Sequence, residues 1–320
     1  YFLPNDLPLW ERPRTPLYSR KMKTENPVHI KRGLDAATYH AANGVNASSF
    51  QYIDPERDGC PLTWFSHSNG DIKQTETAAM AIGTALHSYV LEPGEFKKEY
   101  VILDDLKKEE LYNEAIEDGS KAKGFSKALN KYKNFKNRAI ANGQKVITEE
   151  DFLTVDGLGT AAFKVDELNE FLAHPELETE ISIFAELLDH QGNNVLCKGR
   201  IDALKPNALL DLKTTVNTSP VKIGKFIANY KAYVQAAFYL DLCRTVGLVD
   251  EHATFSWCFI QKELPHQATY YTAPEELIRL GRTEYKSWLG WIYEGRKTGN
   301  WPGHSNDVEL PPYLLAQMEY

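Results

Sequence analysis

The residues best placed to do chemistry stand in one short stretch, VLCKGRIDALKPNALLDLKTT, residues 195–215. Two runs rich in apolar and β-branched residues each end on an acid, Asp202 and Asp211, and Lys213 follows the second acid by two. Carboxylates and ammonium groups are seldom buried unless they are paired or bound to a metal. Such groups at the ends of strands otherwise suited to burial predict either an internal ion pair or a metal site. Carboxylates carried to one end of adjacent strands can converge on a cation, and Mg²⁺ takes oxygen ligands at about 2.0–2.1 Å while keeping several waters. Strand alternation turns Asp211 and Lys213 to the same face. There the ammonium can orient a metal-bound water or stabilise charge developing on a phosphate. A half-buried Asp–Lys ion pair fits the same triplet. The acid on the preceding strand is what lifts DLK above a chance match.

Other candidates lie farther off. His87 falls in TETAAMAIGTALHSYVLEPGEF, where Ala79, Ile82, Leu86 and Tyr89 keep helical spacing and Pro93 is expected to stop the helix. Gly83 and Ala85 are small enough to let another backbone approach, so His87 can supply a nitrogen to the same metal if this helix packs across the strand ends. Alone, it reads first as a satisfied helix histidine. Glu180 opens the preceding strand and Glu186 lies within it; sequence does not choose between them. Gln235 and Tyr239, in YVQAAFYLD, are four apart and share a helix face. They suit contact with a phosphate or a base, or equally plain packing for Tyr239 and a polar rim for Gln235.

Several elements must position these groups. TEEDFLTVDGLGTAAFKVDELNEFLAHP reads as one helix, capped at Thr148 or Asp151 and stopped at Pro175. EISIFAELLD, VLCKGRIDAL and ALLDLKTT read as three antiparallel strands joined by HQGNN and KPN. SPVKIGKFIANYKAYVQAAFYLDLCRTVG is helical in two pieces. ATFSWCFIQKE and HQATYYTA are strands with a turn at Leu264–Pro265–His266, and a closing helix follows with Pro274 near its first turn. The order predicts an α/β or α+β fold, a mixed sheet flanked by helices. Residues 31–320 are expected to form one domain behind a Pro-punctuated arm at 1–30. A chain that opens on Tyr1 rather than Met is expected to be a fragment of something longer.

With 320 residues, 42% hydrophobic and 25% charged, the composition is that of a globular protein. No apolar run approaches the ~18–20 residues that cross a bilayer, so no membrane partner is expected. Cys60, Cys197, Cys243 and Cys258 are scattered without a CxxC pair. That pattern gives no zinc knuckle, cluster or disulfide framework and suggests a cytoplasmic setting. A net charge of −8 argues against nucleic acid, but its distribution is uneven. From Gly119 to Thr148 there is no acid, while Lys121, Lys123, Lys127, Lys131, Lys133, Lys136, Arg138 and Lys145 alternate with Phe125, Tyr132 and Phe135. Such a segment can track a phosphate backbone and offer stacking faces. Taken alone, it reads first as a solvated helix face with its aromatics turned inward.

The ordered set GTALHSYVLEPGEF, CKGRIDAL, DLKTT and YVQAAFYLD resembles the nuclease domain of RecE-type exodeoxyribonuclease VIII. That domain belongs to the PD-(D/E)xK superfamily with the RecB nuclease domain and lambda exonuclease. GLDAATYHAANGVNASS and TGNWPGHSNDVELPPYL are similar to its flanking segments, so the resemblance spans roughly residues 33–313. Each motif is weak alone, and the order is what makes the set specific. The resemblance implies a restriction-endonuclease-like core in which His87, Asp202, Asp211 and the Leu212 carbonyl hold Mg²⁺, which Mn²⁺ can replace. Lys213 would be the catalytic lysine, while Gln235 and Tyr239 match the Q-x-x-x-Y motif of RecB-like nucleases. It further implies 5′→3′ digestion of double-stranded DNA ends, a 3′ overhang passed to a RecT-like annealing protein, and a ring-shaped tetramer. Within such a ring, the segment holding Lys127 and Lys131 is expected near the DNA path. The "PD" of the superfamily reads Ile201–Asp202 here, which keeps the acid. An endonuclease of the same fold and a non-catalytic DNA-end binder are the alternatives; a cutter holding an iron–sulfur cluster is disfavoured by the missing cysteines.

Overall fold

The computed structural model describes residues 29–72 and 77–305. Most of the expected arm, and the chain beyond 305, lie outside the described residues. The chain enters through β1 (His29–Lys31) and α1 (Ala36–Ala41), the latter capped by Asp35, which accepts from the Thr38 amide at 2.9 Å. Two 3₁₀ turns, Ala47–Tyr52 and Pro55–Arg57, lead to α2 (Pro61–Ser68). α3 (Ala78–Leu91) carries His87 and is capped by Thr77. Pro93 ends that segment, as its missing amide requires, but also opens α4 (Pro93–Glu99), since the first turn needs no amide partner.

The charged stretch after residue 103 folds as two helices, α5 (Asp105–Glu117) and α6 (Asn130–Ala141). They lie between β2 (Tyr100–Leu103) and β3 (Lys145–Thr148), which pair in parallel as a separate two-stranded sheet. Thr148 caps α7 (Glu149–Ala162), accepting from the Asp151 amide at 3.2 Å. The single helix expected up to Pro175 instead breaks after Ala162 and resumes as α8 (Asp166–Leu172). The side-chain amide of Asn169 satisfies the freed Phe163 carbonyl at 2.8 Å.

Then come β4 (Glu178–Leu188), β5 (Asn194–Lys205) and β6 (Ala208–Thr215), antiparallel as expected. In the β4–β5 turn, the Asp189 carboxylate accepts from the amides of Gln191 and Asn193 at 2.7 and 2.8 Å. α9 (Pro220–Asn229) and α10 (Ala232–Thr245) form the crossover that lets β7 (Thr254–Gln261) pair parallel to β6. β8 (Ala268–Thr272) returns antiparallel, and α11 (Glu275–Thr298) closes the described chain. The main sheet is mixed, in the order β1-β4-β5-β6-β7-β8.

One core lies between this sheet and α9, α10 and α11, built on Phe238, Tyr285, Trp288, Trp257 and Ile183. A second lies against α3, α7 and α8, with Leu86, Leu158, Phe171, Leu210, Leu212 and Cys258. The architecture is therefore an α/β sheet covered by helices on both faces. All four cysteines are free and buried, and burial pushes the thiols of Cys243 and Cys258 up to about 12. Among the described residues no helix is long and apolar enough to cross a membrane.

Candidate active site

The acids do not stand at strand ends, as the sequence suggested, but inside the strands where pairing fails. The β5–β6 ladder holds Ala203 to Leu210, Leu204 to Leu209 and Lys205 to Ala208, then stops. The next residues in that register are Asp202 and Asp211. On the other side, β4 and β5 pair Thr179 with Ala203 and Ile181 with Ile201, which brings Glu180 opposite Asp202. Three acids thus fall in one row across three strands. Glu180 has φ of 52°, a left-handed backbone that costs a non-glycine residue about 1–2 kcal/mol. Ile201 joins the core beneath α10 while Ala203 joins the core beneath α3, so the alternation of β5 skips at Asp202. The ladder bond lost there is replaced by the side chain: the Leu212 amide donates to Asp202 Oδ2 at 2.9 Å.

α3 brings His87 over this row. The ring Nε2 lies 3.0 Å from the Leu212 carbonyl oxygen, and a carbonyl can only accept, so that contact places the ring proton on Nε2. The bare Nδ1 then faces Asp202 Oδ2 at 3.4 Å. Two electron-rich atoms that close need a proton or a cation between them. The close approach of helices that sets α3 comes from Gly159 rather than Gly83. A Cβ on Gly83 would have its nearest neighbour, Thr214 Oγ1, at 4.0 Å, whereas one on Gly159 would meet the Tyr89 ring at 2.5 Å. Tyr89 in turn donates to Asp156 of α7 at 2.6 Å.

Asp211 is held differently. Its side chain is only 2% exposed; Oδ1 accepts from Gln235 Nε2 and from Lys213 Nζ, both at 3.0 Å. Oδ2 is buried without a hydrogen bond of its own and has the Lys213 ammonium 2.8 Å away. Gln235 reaches this point because α10 lies close over β5. At Gly199 a Cβ would come within 2.7 Å of Leu242 and 3.2 Å of the Tyr239 ring, both on α10. Burial drives the Tyr239 hydroxyl well above its ordinary value, although a hydrogen bond with Gln235 lowers it.

The donor set suits a divalent cation. His87, Glu180 and Asp202 each offer a ligand atom, and all three lie within 4.8 Å of one another. Burial, then the neighbouring Asp211, raises the Asp202 carboxyl well above the usual range, and burial, then Asp202, raises Glu180. Burial lowers His87, against the pull of Asp211 and Glu180, which keeps it the neutral imidazole a metal requires. Closely spaced like charges are destabilising unless a cation offsets them. Oxygen and one nitrogen donor, without thiolate, match a hard to borderline metal.

The remaining expected residues fall elsewhere. Glu186 is exposed farther along β4. Lys131 is tied to Asp118 of the α5–α6 loop at 2.7 Å and to Glu114 of α5 at 3.7 Å. Lys127 is exposed, while Phe125, Tyr132 and Phe135 pack with Leu103 and Leu111. One residue of the site escaped the sequence reading: Arg200, which ion-pairs with Glu180 and donates from Nη1 to the Leu34 carbonyl at 3.1 Å. Its only signal was its place two residues before Asp202.

A six-stranded mixed sheet with helices on both faces, and an Asp, Asp-x-Lys set where two strands part, define a PDDEXK-type core. The chain belongs to the family described as PDDEXK-like domain of unknown function (DUF3799), whose model matches residues 47–311. None of the curated proteins matches it significantly. Among solved structures it is similar to a Eubacterium rectale protein provisionally named an exonuclease, with a TM-score of 0.56 and 13% identity over 90% of this chain and 98% of that one. That likeness is one of fold. The crystal structure of SSO0001 aligns at a TM-score of only 0.26, with 17% identity over 68% of this chain and 87% of that one.

Proposed function

We propose that this chain is a divalent-metal-dependent exodeoxyribonuclease that digests linear double-stranded DNA from an end. The observation that carries the reading is the meeting of His87, Glu180 and Asp202 beside the Asp211–Lys213 pair. His87 Nδ1, Asp202 and Glu180 would hold Mg²⁺ or Mn²⁺, together with the Leu212 carbonyl and Asp211. When bound, such an ion polarises the scissile phosphate and lowers the pKa of a coordinated water. Lys213 supplies a fixed positive charge for the phosphate as negative charge builds on it. Gln235 keeps Asp211 from turning away, and Tyr239 packs behind Gln235 as a neutral hydroxyl. No group in the set requires a covalent intermediate.

End-directed 5′→3′ digestion, a 3′ overhang handed to a RecT-like annealing protein, a ring tetramer and a cytoplasmic setting belong to the same proposal. The resemblance to RecE-type nucleases supports them, and the provisional name of the Eubacterium rectale protein agrees with an exonuclease. The test is digestion of linear and covalently closed circular duplex in Mg²⁺. The linear form should disappear, from the 5′-labelled strand first, and the closed circle should persist. Lys213→Ala and Asp211→Ala should each lose about 10²-fold or more in rate. Full activity in either variant sinks the assignment of the site, and cleavage of the closed circle turns the reading to an endonuclease.

A further inference from the structure

We propose that Arg200 is a charge-exchange residue, which neutralises Glu180 in the cation-free protein and turns to a DNA phosphate once Glu180 is taken by the metal. The inference rests on the metal-dependent nuclease reading above. Arg200 and Asp202 are two apart on β5, and Arg200 Nε donates to Glu180 Oε2. Glu180 is at the same time one of the three groups whose ligand atoms lie within 4.8 Å of one another. One carboxylate therefore answers to two cations, a guanidinium now and a metal ion on loading.

The balance of charge around the row drives the exchange. Among the described residues, three carboxylates stand there, Glu180, Asp202 and Asp211, paired with two cations, Arg200 on Glu180 and Lys213 on Asp211. A divalent ion drawing on Glu180 leaves Arg200 facing a like charge without its counter-ion. At such short range and partial burial, Coulomb repulsion is substantial. Nη1 remains bonded to the Leu34 carbonyl, so the side chain keeps an anchor while its other N–H groups are released. The side chain is 25% exposed and can meet an incoming ligand. A planar fork of donors freed beside a metal site suits the paired oxygens of a phosphodiester. Metal and DNA binding are then coupled through one residue, and each must strengthen the other by the same factor.

The experiment uses the full chain and two readouts apart from cleavage. Calorimetry follows Mn²⁺ binding alone. Fluorescence anisotropy follows a labelled 5′-phosphorylated duplex in EDTA and in Ca²⁺ at one ionic strength. In the wild type, Ca²⁺ should strengthen DNA binding about tenfold or more, within the usual span of coupling between sites. Arg200→Gln should lose most of that gain yet bind Mn²⁺ no more weakly, because a competitor for Glu180 has gone. Glu180→Gln should shift the other way on both counts, with weaker Mn²⁺ binding and tighter DNA binding in EDTA. The exchange is overturned if Arg200→Gln keeps the full gain, or if it loses Mn²⁺ binding as Glu180→Gln does, which would make Arg200 only a prop for the acid. Should Arg200→Gln not fold, Glu180→Gln decides: unchanged DNA affinity in EDTA overturns the exchange. A wild type that neither binds Mn²⁺ nor cleaves linear duplex removes the nuclease reading itself, and the exchange with it.

Discussion

Asp202 is where the proposed metal-binding role and stability pull in opposite directions. Burial and the adjacent Asp211 raise its carboxyl well above the ordinary 3.8. A carboxyl that holds its proton more tightly folded than unfolded favours the folded state at low pH, and that advantage is lost as pH rises from 3.8 through the raised value. Without a cation, the acid row thus weighs against folding at neutral and alkaline pH. Asp202→Asn keeps an oxygen to accept from the Leu212 amide but removes the charge. In EDTA at pH 8 it should melt above the wild type, by roughly 2–4 °C for each 1 kcal/mol relieved, and the difference should vanish near pH 4. Mn²⁺ should raise the wild-type melting temperature more at pH 8 than at pH 6, and should leave Asp202→Asn unmoved. A variant that melts lower than the wild type in EDTA at pH 8 contradicts the electrostatic account of the row. Thermal melts across pH, with and without Mn²⁺, provide the measurement.

At the scale of elements, α10 delivers Gln235 to Asp211, and α11 holds α10. Asp241 of α10 accepts from Arg282 at 2.7 and 2.8 Å and from Tyr285 at 2.6 Å, both on α11. The helices touch at Gly281, where a Cβ would sit 2.4 Å from the Tyr233 carbonyl oxygen. That neighbour is backbone, so Gly281→Ala must move a helix rather than a side chain. It should destabilise by about 1–3 kcal/mol and lower cleavage further through Gln235, as urea melts and rates on linear duplex would register; an unchanged midpoint refutes the close contact. Much of this frame was legible in the sequence. β4 to β6 announce themselves through apolar alternation, and YVQAAFYLD reads as a helix because its spacing is unambiguous. His87 and Asp202 were legible as candidate ligands, but the third acid beside them was not. Glu180 and Glu186 are alike in sequence, and only the register against β5 with the left-handed turn at Glu180 separates them. Arg200 was hidden because its partners, Glu180 and Leu34, are 20 and 166 residues away. Strands of three or four residues, such as β1, β2 and β3, carry too few positions for a period to show.

For the whole molecule, a net charge of −8 must be reconciled with a polyanionic substrate. Sequence windows locate the basic charge at Gly119–Thr148, but charge along the chain is not charge in space. α5 and the turn after it bring Glu114 and Asp118 against Lys131, and the aromatics interleaved with the lysines are packed with Leu103 and Leu111 rather than offered for stacking. The phosphate contact proposed for this region therefore falls to lysines other than Lys131, and Lys127 is exposed. Each phosphate contact releases counter-ions, so removing one lowers the slope of log affinity against log salt by about 1. Lys127→Glu should weaken duplex binding and flatten that slope, leaving the urea midpoint in place. Lys131→Glu should do the reverse: it sets a third acid beside Glu114 and Asp118, loosens α6 from α5, and disturbs stability more than the salt slope. Anisotropy titrations at several salt concentrations, paired with urea melts, separate the two. If the variants weaken binding alike with equal slopes, the region meets DNA as a diffuse field and the partnering of Lys131 does not matter to it.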